Sequence, residues 1–150
     1  MKTFVFEASL FLPKTPAEIF PFFSDALNLQ AITPPWVHFE VLTPRPIEMR
    51  SGTRLHYKLR LRGIPVLWES EITVWDPPSR FVDEQRRGPY RLWRHEHRFA
   101  AREGGTECAD HVEYAVLGGS LVNALFVAPE LRKIFAYRQA KLAEILGARN

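Results

Sequence analysis

The sequence predicts an α+β fold: an antiparallel sheet of about seven strands, two short helices after the first strand, and one long C-terminal helix. Three observations carry this. A period of two in apolar residues runs from Trp36 to about Val116, a capped segment separates the first strand from that run, and the period becomes helical after Gly118 and Gly119.

Thr3 to Leu12 alternates loosely and is rich in Phe and Val, so it is a first strand, stopped at Pro13. Thr15 is placed to cap a helix with Pro16 at its first position and Glu18 completing a capping box, which predicts a helix over Pro16 to Phe23. Ser24 and Asp25 form a second start signal before Ala26 to Ile32, and Pro34 and Pro35 end that helix. The period-two region is broken at 43–52, 63–65, 76–79, 87–89 and 102–105. These breaks are too short for a crossover helix, so the strands form an antiparallel meander. Beyond Gly119, Leu131, Ile134, Phe135, Leu142 and Ile145 share one face of the long helix, with Pro129 marking its true start or a kink.

Charge pairing suggests registers. Setting Arg62 opposite Pro65 places Lys58 by Glu69 and His56 by Glu71 on an outer face, with Leu55, Tyr57 and Leu59 inward with Trp68, Ser70 and Ile72. Setting Ala101 opposite Thr106 pairs Arg94 with Glu113 and Glu96 with His111 outside, and turns Trp93, His95, His97 and Phe99 inward. Setting Arg87 opposite Arg91 puts Asp83 beside His95 and Phe81 beside His97.

A chain of 150 residues buries about 70% of its unfolded surface, enough for one core, and is read as one domain over 1–150. With 46% hydrophobic and 25% charged residues, the composition excludes disordered and collagen-like classes. The 13% aromatic share exceeds what a small packed core easily absorbs and suggests a cavity. A single cysteine, Cys108, excludes an internal disulfide and a multi-cysteine zinc site, so a reducing, cytoplasmic setting is expected. Glu7 interrupts the apolar N-terminal stretch, which therefore reads as strand rather than signal peptide; no stable membrane insertion is expected. The basic row from Arg54 to Arg62 faces Glu69 and Glu71 and lacks interleaved aromatics, which argues against nucleic acid. Phosphate-binding glycine loops and nucleophile elbows are absent from the sequence.

The inward face carries the candidate chemistry. His95 and His97 project from one side of a strand, with Asp83 and Asp110 as neighbours. The set fits a divalent metal, but hydrogen-bonded pairs, His97 with Asp110 and His95 with Asp83, explain it without one; neither metal nor cofactor is expected. The same pairs are minimal general bases for proton abstraction beside a carbonyl or for dehydration. Tyr57, Trp68, Ser70, Gln85, Trp93 and Tyr114 join the histidines as candidate ligand contacts. Arg138, on the apolar stripe of the long helix, either clamps a ligand carboxylate or, the stronger reading, snorkels outward or pairs with a structural acid. Trp36 and His38 follow the double proline, where Trp36 either borders the cavity mouth or plugs the core.

The element order resembles the helix-grip superfamily that includes START lipid-transfer domains and polyketide cyclase/dehydrases, also called SRPBCC. TPPWVHFEVLTPRPIEMRSGT, WESEITVWDPPSRFVDEQRRGPY, LWRHEHRF and the run from Ile134 to Arg138 are similar to a bacterial branch with no assigned reaction. The resemblance implies a strongly bent sheet wrapped round the C-terminal helix, with a cavity between them for a lipid, polyketide-like or aromatic molecule. It carries over no catalytic residue. Binding of a small hydrophobic ligand is the leading expectation, and a cyclase or dehydratase the alternative.

Overall fold

The computed structural model describes residues 1–147. Seven strands form one sheet: β1 (Phe4–Leu12), β2 (Glu40–Val41), β3 (Arg54–Leu61), β4 (Ile64–Asp76), β5 (Arg80–Arg87), β6 (Leu92–Arg102) and β7 (Gly105–Ala115). Their order is β1-β7-β6-β5-β4-β3-β2, with every neighbouring pair antiparallel. Because β1 and β2 are opposite edges, the helical segment between them spans the width of the sheet.

That segment begins as its sequence dictates. In α1 (Pro16–Phe23), the Thr15 Oγ1 accepts from the Glu18 backbone N–H, and Glu18 accepts from Thr15 N–H in return. Ile19, Phe20 and Phe23 turn into the core. The second helix, α2 (Asn28–Ala31), is shorter than the span Ala26–Ile32. Asp25 accepts from Leu27 N–H and holds the first residues in a turn, and a 3₁₀ turn over Pro35–Val37 follows the double proline.

The β6–β7 register is the expected one, with Ala101 opposite Thr106, Arg94 opposite Glu113 and His97 opposite Asp110. So is that of β5–β6, where Asp83 faces His95 and Phe81 faces His97. The β3–β4 turn lies one residue earlier than expected. Leu61 faces Ile64 across Arg62 and Gly63, so His56 pairs with Glu69 and Arg54 with Glu71, while the inward face is unchanged. Both turn residues have positive φ, +52° and +80°, as a two-residue hairpin turn requires.

The C-terminal helix begins with α3 (Gly119–Val122), passes through a π-helical turn at Asn123–Val127 and continues as α4 (Ala128–Leu146). Pro129 lies just beyond the π turn. It has no N–H to give Leu125 four residues back, and the altered hydrogen bonding there lets the helix run on. Leu131, Phe135, Arg138 and Leu142 form the buried stripe, whereas Ile145, expected on it, is 42% exposed in the last turn.

Much of the aromatic share is core. Phe20 packs edge-on to Trp75, Phe81 and Phe99 at centroid distances of 5.1, 6.1 and 5.5 Å. Among the described residues, no helix is long and apolar enough to cross a membrane.

Candidate functional site

Between the inner face of the sheet, α4 and the α2 region lies a cavity of about 170 Å³. Strands β3 and β4 contribute Tyr57, Trp68 and Ser70; β5 and β6 contribute Asp83, Trp93, His95 and His97. Helix α4 closes it with Leu131, Ile134, Phe135 and Arg138. The walls are mostly apolar. The Trp68 indole N–H donates to the Ser70 hydroxyl at 2.9 Å, removing one pair of polar groups from the inventory.

At one end a charged cluster is assembled from three strands and the helix. His95 Nε2 lies 2.7 Å from Asp110 Oδ1, and His97 Nε2 lies 2.7 Å from Asp83 Oδ2. These partners are the reverse of the expected ones: the bonds run diagonally between strands whose direct pairs are His95 with Asp83 and His97 with Asp110. Diagonal neighbours are within reach of long side chains, and strand twist inclines them toward one another. The direct contacts are longer, 3.9 Å from His95 Nδ1 to Asp83 and 3.6 Å from His97 Nδ1 to Asp110. The rings are stacked, with His95 on His97 at 3.7 Å and His97 on Phe81 at 4.0 Å.

Arg138 turns inward rather than snorkelling. It is 8% exposed, with Nη2 at 3.5 Å from Asp110 Oδ1 and 3.3 Å from His97 Nδ1. A guanidinium only donates, so His97 Nδ1 is the acceptor and its proton sits on Nε2, directed at Asp83. Burial, the adjoining His95 ring and the Arg138 charge outweigh the help of Asp83 and lower the His97 pKa to about 4. Burial raises the Asp110 pKa, but Arg138 and the bond from His95 outweigh it and hold the carboxyl well below its usual range. Asp83 is lowered too: its bond from His97 and the charges around it overcome burial. Two carboxylates against one guanidinium leave one negative charge in excess before the histidines are counted.

Side-chain atoms of Asp83, His95 and His97 lie within 4.8 Å of one another, the spacing of a metal-ligand triad. A metal on His97 Nε2 would need the proton on Nδ1, where Arg138 donates, so the cluster suits hydrogen bonding better.

Two of the candidate ligand contacts lie elsewhere. Gln85 clamps the β5–β6 loop, donating to Tyr90 C=O at 2.7 Å and accepting from Tyr90 N–H at 3.0 Å. Tyr114 points inward but lies under the C-terminal helix, its hydroxyl 2.6 Å from Asn123 Oδ1. Asp110 stands behind the histidines rather than on the cavity wall. Trp36 is 48% exposed, edge-on to Tyr137, and neither borders the cavity nor plugs the core; its neighbour Val37 lines the cavity, and His38 is exposed. Sequence reasoning missed Tyr90, whose ring lies 4.8 Å from Trp93, because the loop that carries it gives no periodic signal. Phe135 belonged to the helical stripe and was legible there as core only.

The fold has many solved counterparts. A protein of Chromobacterium violaceum is 15% identical with a TM-score of 0.73, over 97% of this chain and 99% of that one. A START superfamily protein from Mycobacterium smegmatis is 11% identical with a TM-score of 0.70, over 94% and 98%. Major latex-like protein 151 of Panax ginseng is 9% identical with a TM-score of 0.71, over 96% and 97%. Among curated proteins, none matches the sequence. The family model described as "Polyketide cyclase / dehydrase and lipid transport" matches residues 12–137, most of the sheet and the first half of α4. The chain therefore belongs to that family, within the helix-grip SRPBCC/START-like superfamily.

Proposed function

We propose that the protein binds one small, largely hydrophobic molecule in the cavity between the sheet and α4. The observation that carries this is the cavity itself: about 170 Å³, with Trp68, Trp93 and Phe135 in its walls and the cluster of Asp83, His95, His97 and Arg138 among them. The family's name joins lipid transport to cyclase and dehydrase chemistry, which is consistent with a ligand at this place. An NMR titration with indole tests the reading. Saturable one-to-one binding with shifts at Tyr57, Trp93, His95 and Phe135 is expected, and the absence of saturable binding by any small aromatic compound would overturn it. Native mass spectrometry of gently purified protein then identifies what co-purifies.

A second reading, proton-transfer chemistry on the bound molecule, is favoured by one detail. His97 is engaged at both ring nitrogens, but His95 is tied to Asp110 through Nε2 only, and its Nδ1 makes no hydrogen bond to another described residue. The candidate base is therefore His95, oriented by Asp110.

A further inference from the structure

The charges at the polar end of the cavity discriminate among ligands. Asp83 and Asp110 are both held ionised, and Arg138 supplies one positive charge between them. Arg138 Nη2 is directed at Asp110 and His97, and its Nε is enclosed without a partner. Asp83 is the most open of the three, with 19% of its side chain exposed against 11% for Asp110 and 10% for Arg138. A ligand reaching this end therefore meets a carboxylate and the unpaired His95 Nδ1, two acceptors 3.9 Å apart, beside a guanidinium whose Nη2 is already committed to Asp110 and His97. The remaining titratable groups on the wall do not reverse this. Tyr57 and Tyr90 stay protonated because burial, followed by the charge of Asp83 for Tyr57 and the neighbours Tyr114 and Glu130 for Tyr90, raises them. His97 is neutral at physiological pH.

Size narrows the choice further. An apolar cavity of about 150 Å³ holds one benzene molecule, so about 170 Å³ takes one substituted ring or a small fused pair rather than a long acyl chain.

From these observations we infer that the cavity selects a ring-sized molecule whose polar end donates hydrogen bonds, a phenol or an enol, and rejects the corresponding carboxylate. This rests on the cavity being a ligand site. A hydroxyl directed at Asp83 forms a charge-assisted hydrogen bond in low dielectric. A carboxylate there would stand beside a like charge, and one of the two would have to take up a proton.

The test uses three molecules with the same body and different heads, ethylbenzene, 4-ethylphenol and 4-ethylbenzoate, titrated into the full chain at pH 7.5 and followed by NMR. The phenol is expected to bind at least ~10-fold tighter than ethylbenzene and at least ~10-fold tighter than the benzoate. A phenol no better than ethylbenzene, or a benzoate as tight as the phenol, overturns the head-group inference while leaving the cavity a ligand site. Failure of all three to bind overturns both. Asp83→Asn removes the excess charge and should shrink the gap between phenol and benzoate; an unchanged gap counts against the role given to Asp83. Should that variant not fold, the wild-type series decides alone.

Discussion

Arg138 on the helix and His97 on the sheet meet as donor and acceptor, Nη2 to Nδ1 at 3.3 Å, so α4 dictates which nitrogen of a strand residue carries the proton. The same guanidinium holds Asp110 ionised, and Asp110 in turn orients His95. A residue placed to close the cavity thus also sets the electrical state of its wall.

Acid should weaken the fold through His97. Its pKa is about 4 in the folded protein and near 6.5 unfolded, so between these values the unfolded chain binds more protons and stability falls as pH falls. The loss attributable to this residue is about 3 kcal/mol from pH 7 to pH 4. Asp83 and Asp110, both lowered, add to the loss at still lower pH. Urea unfolding at pH 7, 5.5 and 4.5 measures it, and His97→Gln should flatten the curve in that window. A wild-type stability constant over the window would refute the assignment.

Asp110→Asn removes a buried charge that Arg138 and His95 both use, and is expected to cost about 3–5 kcal/mol. Adding Arg138→Met should recover part of that, because the stranded cation goes with it. Denaturant midpoints for the two single variants and the double variant form the cycle. Strict additivity would show that the two groups do not couple.

Trp93 lines the cavity and packs against Trp68 at 5.3 Å and Tyr90 at 4.8 Å. Trp93→Ala should therefore do two things: lower stability by about 3–5 kcal/mol and admit larger fused-ring compounds. Calorimetry with a two-ring and a three-ring compound on both proteins separates the effects. A destabilised variant with an unchanged size limit would move Trp93 from the wall to the core.

If a conversion of the bound molecule is found, His95→Gln should lower turnover by roughly 100 to 10,000-fold while affinity stays within a few-fold. His97→Gln should act mainly on stability, because that ring is engaged at both nitrogens. Steady-state kinetics of the two variants decides, and equal losses in turnover would return both histidines to the list of candidate bases.

How far the sequence could be read depended on whether local pairing or three-dimensional reach set the answer. The β6–β7 register was legible because four charged residues, Arg94, Glu96, His111 and Glu113, match only in that alignment. The β3–β4 register was two residues off because Arg62 accepts a positive φ, which nothing in an arginine announces. The members of the polar cluster were legible as inward residues, but its wiring was not. Whether His95 bonds to Asp83 or to Asp110 depends on strand twist, and whether Arg138 turns in depends on an acid from β7, 28 positions away in the chain. Gln85 and Tyr114 shared the parity of the cavity residues, yet a loop and a helix claimed them first.

The pairing of β1 with β7 has a kinetic consequence. Phe4 lies opposite Tyr114 and Leu12 opposite Thr106, so the first strand has no sheet partner until the last one exists. Contacts so distant along the chain are slow to form, because the entropy of closing the loop must be met before they contribute. The cavity takes its strand residues from β3 to β6, which pair through short local hairpins and need not wait for the edge strand. Pulse-labelled hydrogen exchange during refolding should find β1 amides, and the β7 amides that bond to β1, protected together and after those of the β3–β4 and β6–β7 hairpins. The strands that line the cavity would then be paired before β1 docks, so that the ligand site takes shape ahead of the completed sheet.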